Sequence, residues 1–341
     1  MSGVAHIVAR SFGDDSHTLA VLALADAMQD GGQPAVFSAD AQHRVDGVKS
    51  LHQLAAADAS LLVYHERGAA PALVGRLAEL ATHVAVAHSD VPPDALALRD
   101  LQVLAAAGAV GIATSEGGAA RLAGVGFARV ARVPPVVARE RLAAVDAFVP
   151  TTHHLDVALH GPLVVCVNDV ADAISSARVV QAYHVLRTYL VRAGHLAIAV
   201  PEGPNTSEAA VRAVHREIWG LRLPDAWLQR LTNSGERSAF MRRAAVFVTT
   251  DTAAGDTGHA LAAMAEGVPV VAPADASARE VLGDGALVLP ADAGAALVAE
   301  AIADLLSDES RRARFAAAAS RVVAQYDPGR VAPAWRAALA A

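Results

Sequence analysis

The chain has 341 residues, 54% of them hydrophobic, with a mean hydropathy of +0.34; this excludes a disordered tail protein and, at about 150 residues per domain, argues for two domains. The 28 basic residues against 35 acidic ones leave a net charge of -7, which argues against broad binding to nucleic acid or anionic membrane and leaves room only for a local basic patch. Cys166 is the only cysteine and Lys49 the only lysine, so a disulfide framework, a cysteine-rich zinc site and lysine chemistry away from Lys49 are excluded.

In chain order, Met1 to Val8 has no basic stretch leading into a long apolar core and does not read as a signal peptide. Val4 to Ala9 reads as a buried strand. Thr18 to Gly31 reads as a helix stopped by Gly31-Gly32. Pro34 to Ser38, Ser60 to Tyr64, Val84 to His88, Val110 to Thr114 and Arg129 to Val133 are further apolar runs of strand length. Strands separated by longer segments predict a parallel sheet covered on both faces. Pro134-Pro135 to His160-Gly161-Pro162 is rich in proline, histidine and threonine and reads as an interdomain segment. The alternation then restarts. Leu163 to Val167 is a strand and Ala177 to Arg192 a helix; Leu196 to Val200, Ala245 to Thr249, Val268 to Ala272 and Ala286 to Leu289 are strands. Two helices, Ala293 to Leu306 and Glu309 to Gln325, follow.

The expected architecture is α/β, two doubly wound (Rossmann-like) domains in tandem. The expected boundaries are 1–155, 156–325 and a tail helix, 326–341, that returns to the first domain. Ligands of such sheets sit at the carboxyl ends of the strands, and the cleft between the halves is the expected site. No charge-free run of about 18 apolar residues occurs, so no membrane-spanning helix is expected, and the cytoplasm is the default compartment.

The text after the first strand, Arg10 to His17, contains Gly13, Asp14 and Ser16. Glycine there lets the backbone approach a ligand, and the helix start could hold an anion; capping by Asp15 or Ser16 is the competing reading. His88 ends a predicted strand before Ser89-Asp90, as Tyr64-His65-Glu66 ends another. Both are either site residues or ordinary turns. His153, His154 and His160 lie close together without carboxylates at ligand spacing, so no metal site is expected. There is no G-x-G-x-x-G, no nucleophile elbow and no P-loop, and no cofactor is called for.

Residues 239–290 carry a more specific pattern: Ala239 to Val248, then Ala263-Met264-Ala265-Glu266-Gly267-Val268-Pro269-Val270-Val271, then Glu280-Val281-Leu282-Gly283-Asp284-Gly285. It resembles the family-4 group of retaining glycosyltransferases, which have the GT-B fold. Gly13-Asp14 with Ser16, Tyr64-His65, His88 with Pro92-Pro93, Thr114-Ser115-Glu116, Gly126-Phe127 and Tyr326-Asp327-Pro328 fall where that family has similar text. The resemblance implies sugar or phosphate contacts at Gly13, Asp14, Ser16, His88, Gly255, Asp256 and His259. It also exposes losses. Where the family has Gly-Arg-x4-Lys to hold the donor diphosphate, this chain has Asp169 and Ile174. Where it has Glu-x7-Glu for the sugar and ribose, this chain has Ala254 and Ala262. Each charge-assisted hydrogen bond to a phosphate is worth about 1.5–3 kcal/mol, so their joint loss implies crippled chemistry. Asp251, Asp256, His259 and Arg279 lie near the altered window, and Asp256 and His259 could make polar contacts to a different donor, although a surface turn explains Gly255, Asp256 and Gly258 more simply.

The expected function is a glycosyltransferase-like protein of a nucleotide-sugar-dependent pathway, catalytically impaired and acting as an accessory or partner subunit. The alternatives are an active retaining glycosyltransferase with a reshaped donor pocket, which would move a hexosyl group from a nucleotide sugar, and a sugar- or nucleotide-binding module. The expected partners are a nucleotide sugar or nucleotide and another glycosyltransferase subunit, with no nucleic acid.

Overall fold

A computed structural model describes residues 4–8, 16–28, 36–38, 48–50, 61–66, 70–79, 84–88, 95–138, 162–167, 173–191, 194–201, 208–231, 240–249 and 257–340. The chain divides into two compact units, Met1–Ala138 with Gln325–Ala341, and Arg139–Ala324. The expected boundary at 155/156 lies outside the described residues.

Unit 1 is built on a seven-stranded sheet. Its strands are β1 (Val4–Val8), β2 (Val36–Ser38), β3 (Val48–Ser50), β4 (Leu61–Glu66), β5 (Val84–His88), β6 (Val110–Ala113) and β7 (Val130–Arg132). The order is β3-β2-β1-β4-β5-β6-β7, and every pair is parallel. The strand sequences are near-continuous apolar runs because both faces are covered. One face carries α2 (Pro71–Glu79), α3 (Ala95–Ala106) and α4 (Glu116–Val125), whose Leu73, Leu77, Leu101, Leu104 and Leu122 pack on Ala5, Ile7, Leu62, Tyr64 and Val86. The other carries α1 (Ser16–Met28) and the terminal α11 (Pro328–Ala340), with Leu24, Val331 and Trp335 on Val63, Ala85 and Ile112.

The tail helix is fastened by polar bonds as well. Trp335 Nε1 donates to the Pro134 carbonyl at 3.2 Å. The Arg336 guanidinium donates to the carbonyls of Ala27 and Met28, at 2.8 and 3.3 Å. Those are end-of-helix acceptors of α1 that have no partner within their own helix.

Unit 2 repeats the plan with six parallel strands: β8 (Leu163–Val167), β9 (His195–Pro201), β10 (Ala226–Leu231), β11 (Val246–Val248), β12 (Val270–Ala274) and β13 (Leu287–Pro290), in the order β10-β9-β8-β11-β12-β13. Helices α5 (Ala173–Val185), α6 (Glu208–Gly220) and α9 (Ala295–Ser307) cover one face, with Val180, Tyr183, Val214, Ile302 and Leu305 on Val164, Cys166, Ile198 and Val248. The expected helix Ala177 to Arg192 changes character before it ends. Leu186–Leu190 is a π-helix whose Val191 N–H reaches the Leu186 carbonyl at 2.7 Å. The short strand β3 and the six-residue edge strand β10 were not expected.

The family-like pattern is a packing kernel. It comprises α7 (Gly258–Ala265), the Gly267 turn at φ +76, β12, α8 (Ala276–Leu282) and the turn Gly283–Gly285 into β13. Gly267 occupies the left-handed region, which glycine enters without strain. At Gly285 a Cβ would stand 2.4 Å from Met264 Cε and 3.0 Å from the Cα of Ala319. Ala319 lies on α10 (Glu309–Gln325). The bare backbone is what lets α10 lie this close.

Candidate functional site

In each sheet the first strand by sequence sits centrally and the winding reverses beside it, between β1 and β4 in unit 1 and between β8 and β11 in unit 2. The carboxyl ends of strands at such a reversal are where doubly wound sheets bind ligands. Two of the expected contacts fall at that edge of unit 1. Ser16 opens α1 directly after β1, and His88 ends β5, in register with Glu66 at the end of β4. Gly13 and Asp14 lie outside the described residues.

Tyr64 and His65, two residues of the resemblance, belong to the interior instead. His65 is buried, its Nε2 is 3.0 Å from Nδ1 of buried His6, and its ring stacks on Trp335 with centroids 5.9 Å apart. One imidazole of the pair donates and the other accepts, so at least one stays neutral. Burial pushes the His6 pKa down to about 4. The pair therefore joins β1, β4 and the tail helix. Ser115 is likewise structural, since its hydroxyl accepts from the Gly118 N–H at 3.0 Å and caps α4.

In unit 2, Ile174 stands in the first turn of α5, just after β8, and His259 and Ala262 lie on α7, just after β11. Asp169, Ala254, Gly255 and Asp256 lie outside the described residues. All of His259 to Met264 is buried. A carboxylate at position 262 would have to leave water, and alanine fits that environment without such a penalty.

Thr249 follows β11 at the same edge. It is fully buried, its N–H donates to the Val271 carbonyl at 3.1 Å, and its hydroxyl has no hydrogen-bond partner among the described residues. The sequence reading missed Thr249, although a hydroxyl ending the apolar run Val246-Phe247-Val248 was a visible signal. Beside it, Asp275 caps α8 by accepting from the Ala278 N–H at 2.7 Å, and Arg279 Nη2 donates to the Leu289 carbonyl at 3.3 Å. Both are engaged in holding the edge together.

Among the described residues no group of three histidine, cysteine, aspartate or glutamate side chains comes together as a metal site. No described helix is long and apolar enough to cross a membrane. His153, His154 and His160 lie outside the described residues.

Two doubly wound parallel units in one chain define a GT-B, glycosyltransferase-like fold. No family model matches the chain, and no curated protein matches it by sequence. Solved structures do match over its length. HepE of Anabaena, in complex with UDP-glucose, superposes with a TM-score of 0.75 at 14% identity, covering 99% of each chain. The α,α-trehalose 6-phosphate synthase of Burkholderia multivorans gives 0.72 at 16%, over 100% of this chain and 98% of the other. The N-terminal domain of Candida albicans trehalose-6-phosphate phosphatase gives 0.72 at 11%, over 100% and 99%. Identities this low establish the fold alone, and one fold serves several chemistries.

Proposed function

We propose that this chain is a catalytically impaired, glycosyltransferase-like subunit that serves a nucleotide-sugar-dependent pathway by supporting another glycosyltransferase. In this reading residues 1–155 form the acceptor-side part and 156–325 the donor-side part. The observation that carries it is the contrast within unit 2: the packing kernel from α7 to Gly285 is kept, while Ile174 and Ala262 stand where the resembling family has a phosphate-binding cation and a carboxylate. Asp169 adds a negative charge where that family has an arginine. Losing one group that stabilises transition-state charge slows a reaction about a hundred- to a thousandfold. The occurrence of the fold as the N-terminal domain of a protein named as a phosphatase is in keeping with a non-transferase use. UDP-glucose, present in the HepE structure, is the first ligand to test, by thermal shift and by a transfer assay on the isolated chain. The subunit reading expects no transfer.

A second reading, an active retaining enzyme with a reshaped donor pocket, is favoured by Thr249. A buried hydroxyl without a partner is costly, and one at the carboxyl end of β11 stands where a ligand could satisfy it. Saturable stabilisation by UDP-glucose together with turnover selects this reading.

A further inference from the structure

Helix α6 has two unlike faces. Val211 and Val214 are buried and Ile218 packs against the same core. On the outer face Arg212, the adjacent pair His215 and Arg216, and Trp219 lie three or four residues apart along the helix and are all exposed, so they form one stripe. Trp219 is 86% exposed, the largest exposure among the large hydrophobic residues described. Of the two acids on α6, Glu217 is turned to α5, where it accepts from Gln181 Nε2 at 2.9 Å. Glu208, exposed in the first turn, stands one turn before Arg212 on the same face and opens the stripe, about three turns from Trp219.

The stripe ends on a strained residue. The Arg222 N–H donates to the Trp219 carbonyl at 3.0 Å and the Leu223 N–H to the Ile218 carbonyl at 3.2 Å, the paired bonds of a Schellman stop. The left-handed position of that motif is normally glycine, yet Arg222 fills it at φ +52, the only non-glycine positive φ among the described residues, with its side chain exposed. Asp225, the nearest acid in sequence, is tied to Arg187 at 2.5 Å. The stripe therefore presents three arginines over roughly 15 Å around one protruding indole.

We propose that this face, Arg212, Arg216, Trp219 and Arg222, docks the protein on the surface of an anionic lipid bilayer. The charge match is local: Arg212, Arg216 and Arg222 are exposed on this face, while Glu217 is engaged with Gln181 and Asp225 with Arg187. Trp219 stands exposed with Arg216 and Arg222 three residues to either side, which suits an interface where the indole enters the headgroup layer and guanidiniums meet phosphates. No spanning segment is needed.

The test is co-sedimentation of the full chain with vesicles of equimolar phosphatidylglycerol and phosphatidylcholine, and with phosphatidylcholine alone. Binding is expected only to the anionic vesicles, and it should fall as salt is raised. Each arginine removed should weaken it roughly fivefold, so Arg212→Gln with Arg216→Gln should weaken it by more than tenfold. Trp219→Ala should also weaken it. Arg222→Gly relieves the backbone strain, so it should raise Tm while lowering vesicle binding, a combination that misfolding cannot produce. No sedimentation with anionic vesicles, equal binding to both kinds, or parental binding by the arginine variants would each overturn the proposal.

Discussion

His6 and His65 show how one buried pair ties chemistry to stability. The imidazole of His6 has its pKa lowered to about 4 by burial, against 6.5 in an open chain. The folded state therefore resists a proton that the unfolded chain accepts. The stabilisation is fully present above pH 6.5 and is lost as pH falls from 6.5 toward 4, by about 3 kcal/mol over that window. His6→Phe keeps a ring beside His65 and removes the titration. Urea midpoints measured from pH 7 to pH 4 should fall less steeply for the variant than for the parent, and parallel curves would refute the assignment. Thr249 offers a second residue-scale test. Thr249→Val removes a buried hydroxyl that lacks a partner among the described residues, and should stabilise the free protein by about 1 kcal/mol. A loss of stability would show instead that the hydroxyl is already bonded.

At the scale of elements, Gly285 and Trp335 are the sharpest contacts. Gly285→Ala must push Met264 and the α10 backbone aside, at a cost of about 1–3 kcal/mol, measurable by chemical denaturation. Trp335→Ala empties the contact between α11, His65 and Ile112. It should cost about 3–5 kcal/mol and make the last helix the first site of proteolysis.

The strands of both sheets are legible in the sequence because central parallel strands are bare apolar runs such as Leu163 to Val167. β3 escapes because it is three residues long with Lys49 at its centre. β10 escapes because Gln229 and Arg230 interrupt its apolar character at a sheet edge. The π segment has no signal in hydrophobic spacing, since only the backbone bond from Val191 to Leu186 distinguishes it. For the site, the strand-end position is legible for His88, which closes β5, whereas Ser16, Ile174, His259 and Ala262 stand on helices and are singled out through the resemblance. Roles are harder to read. The same strand-end logic that marks His88 also marks His65, and His65 is a packing residue. Telling them apart requires knowing what covers each face, and the tail helix that covers His65 comes from the other end of the chain.

For the whole molecule, the GT-B plan supplies two sheets whose strand ends are poised for ligands, and the question is whether unit 2 retains the charges that nucleotide-sugar chemistry needs. If each missing group costs about 2 kcal/mol, two cost about 4, nearly a thousandfold in rate. Asp169→Arg with Ile174→Lys should strengthen diphosphate binding if the pocket is otherwise intact, which calorimetric titration with UDP and GDP on both proteins would read. The most direct measurement is a sugar-transfer assay on the unmodified chain alone with UDP-glucose and other common nucleotide sugars. The expected result is no transfer above background; tight binding with brisk turnover would contradict the impaired-subunit reading and establish the active enzyme in its place.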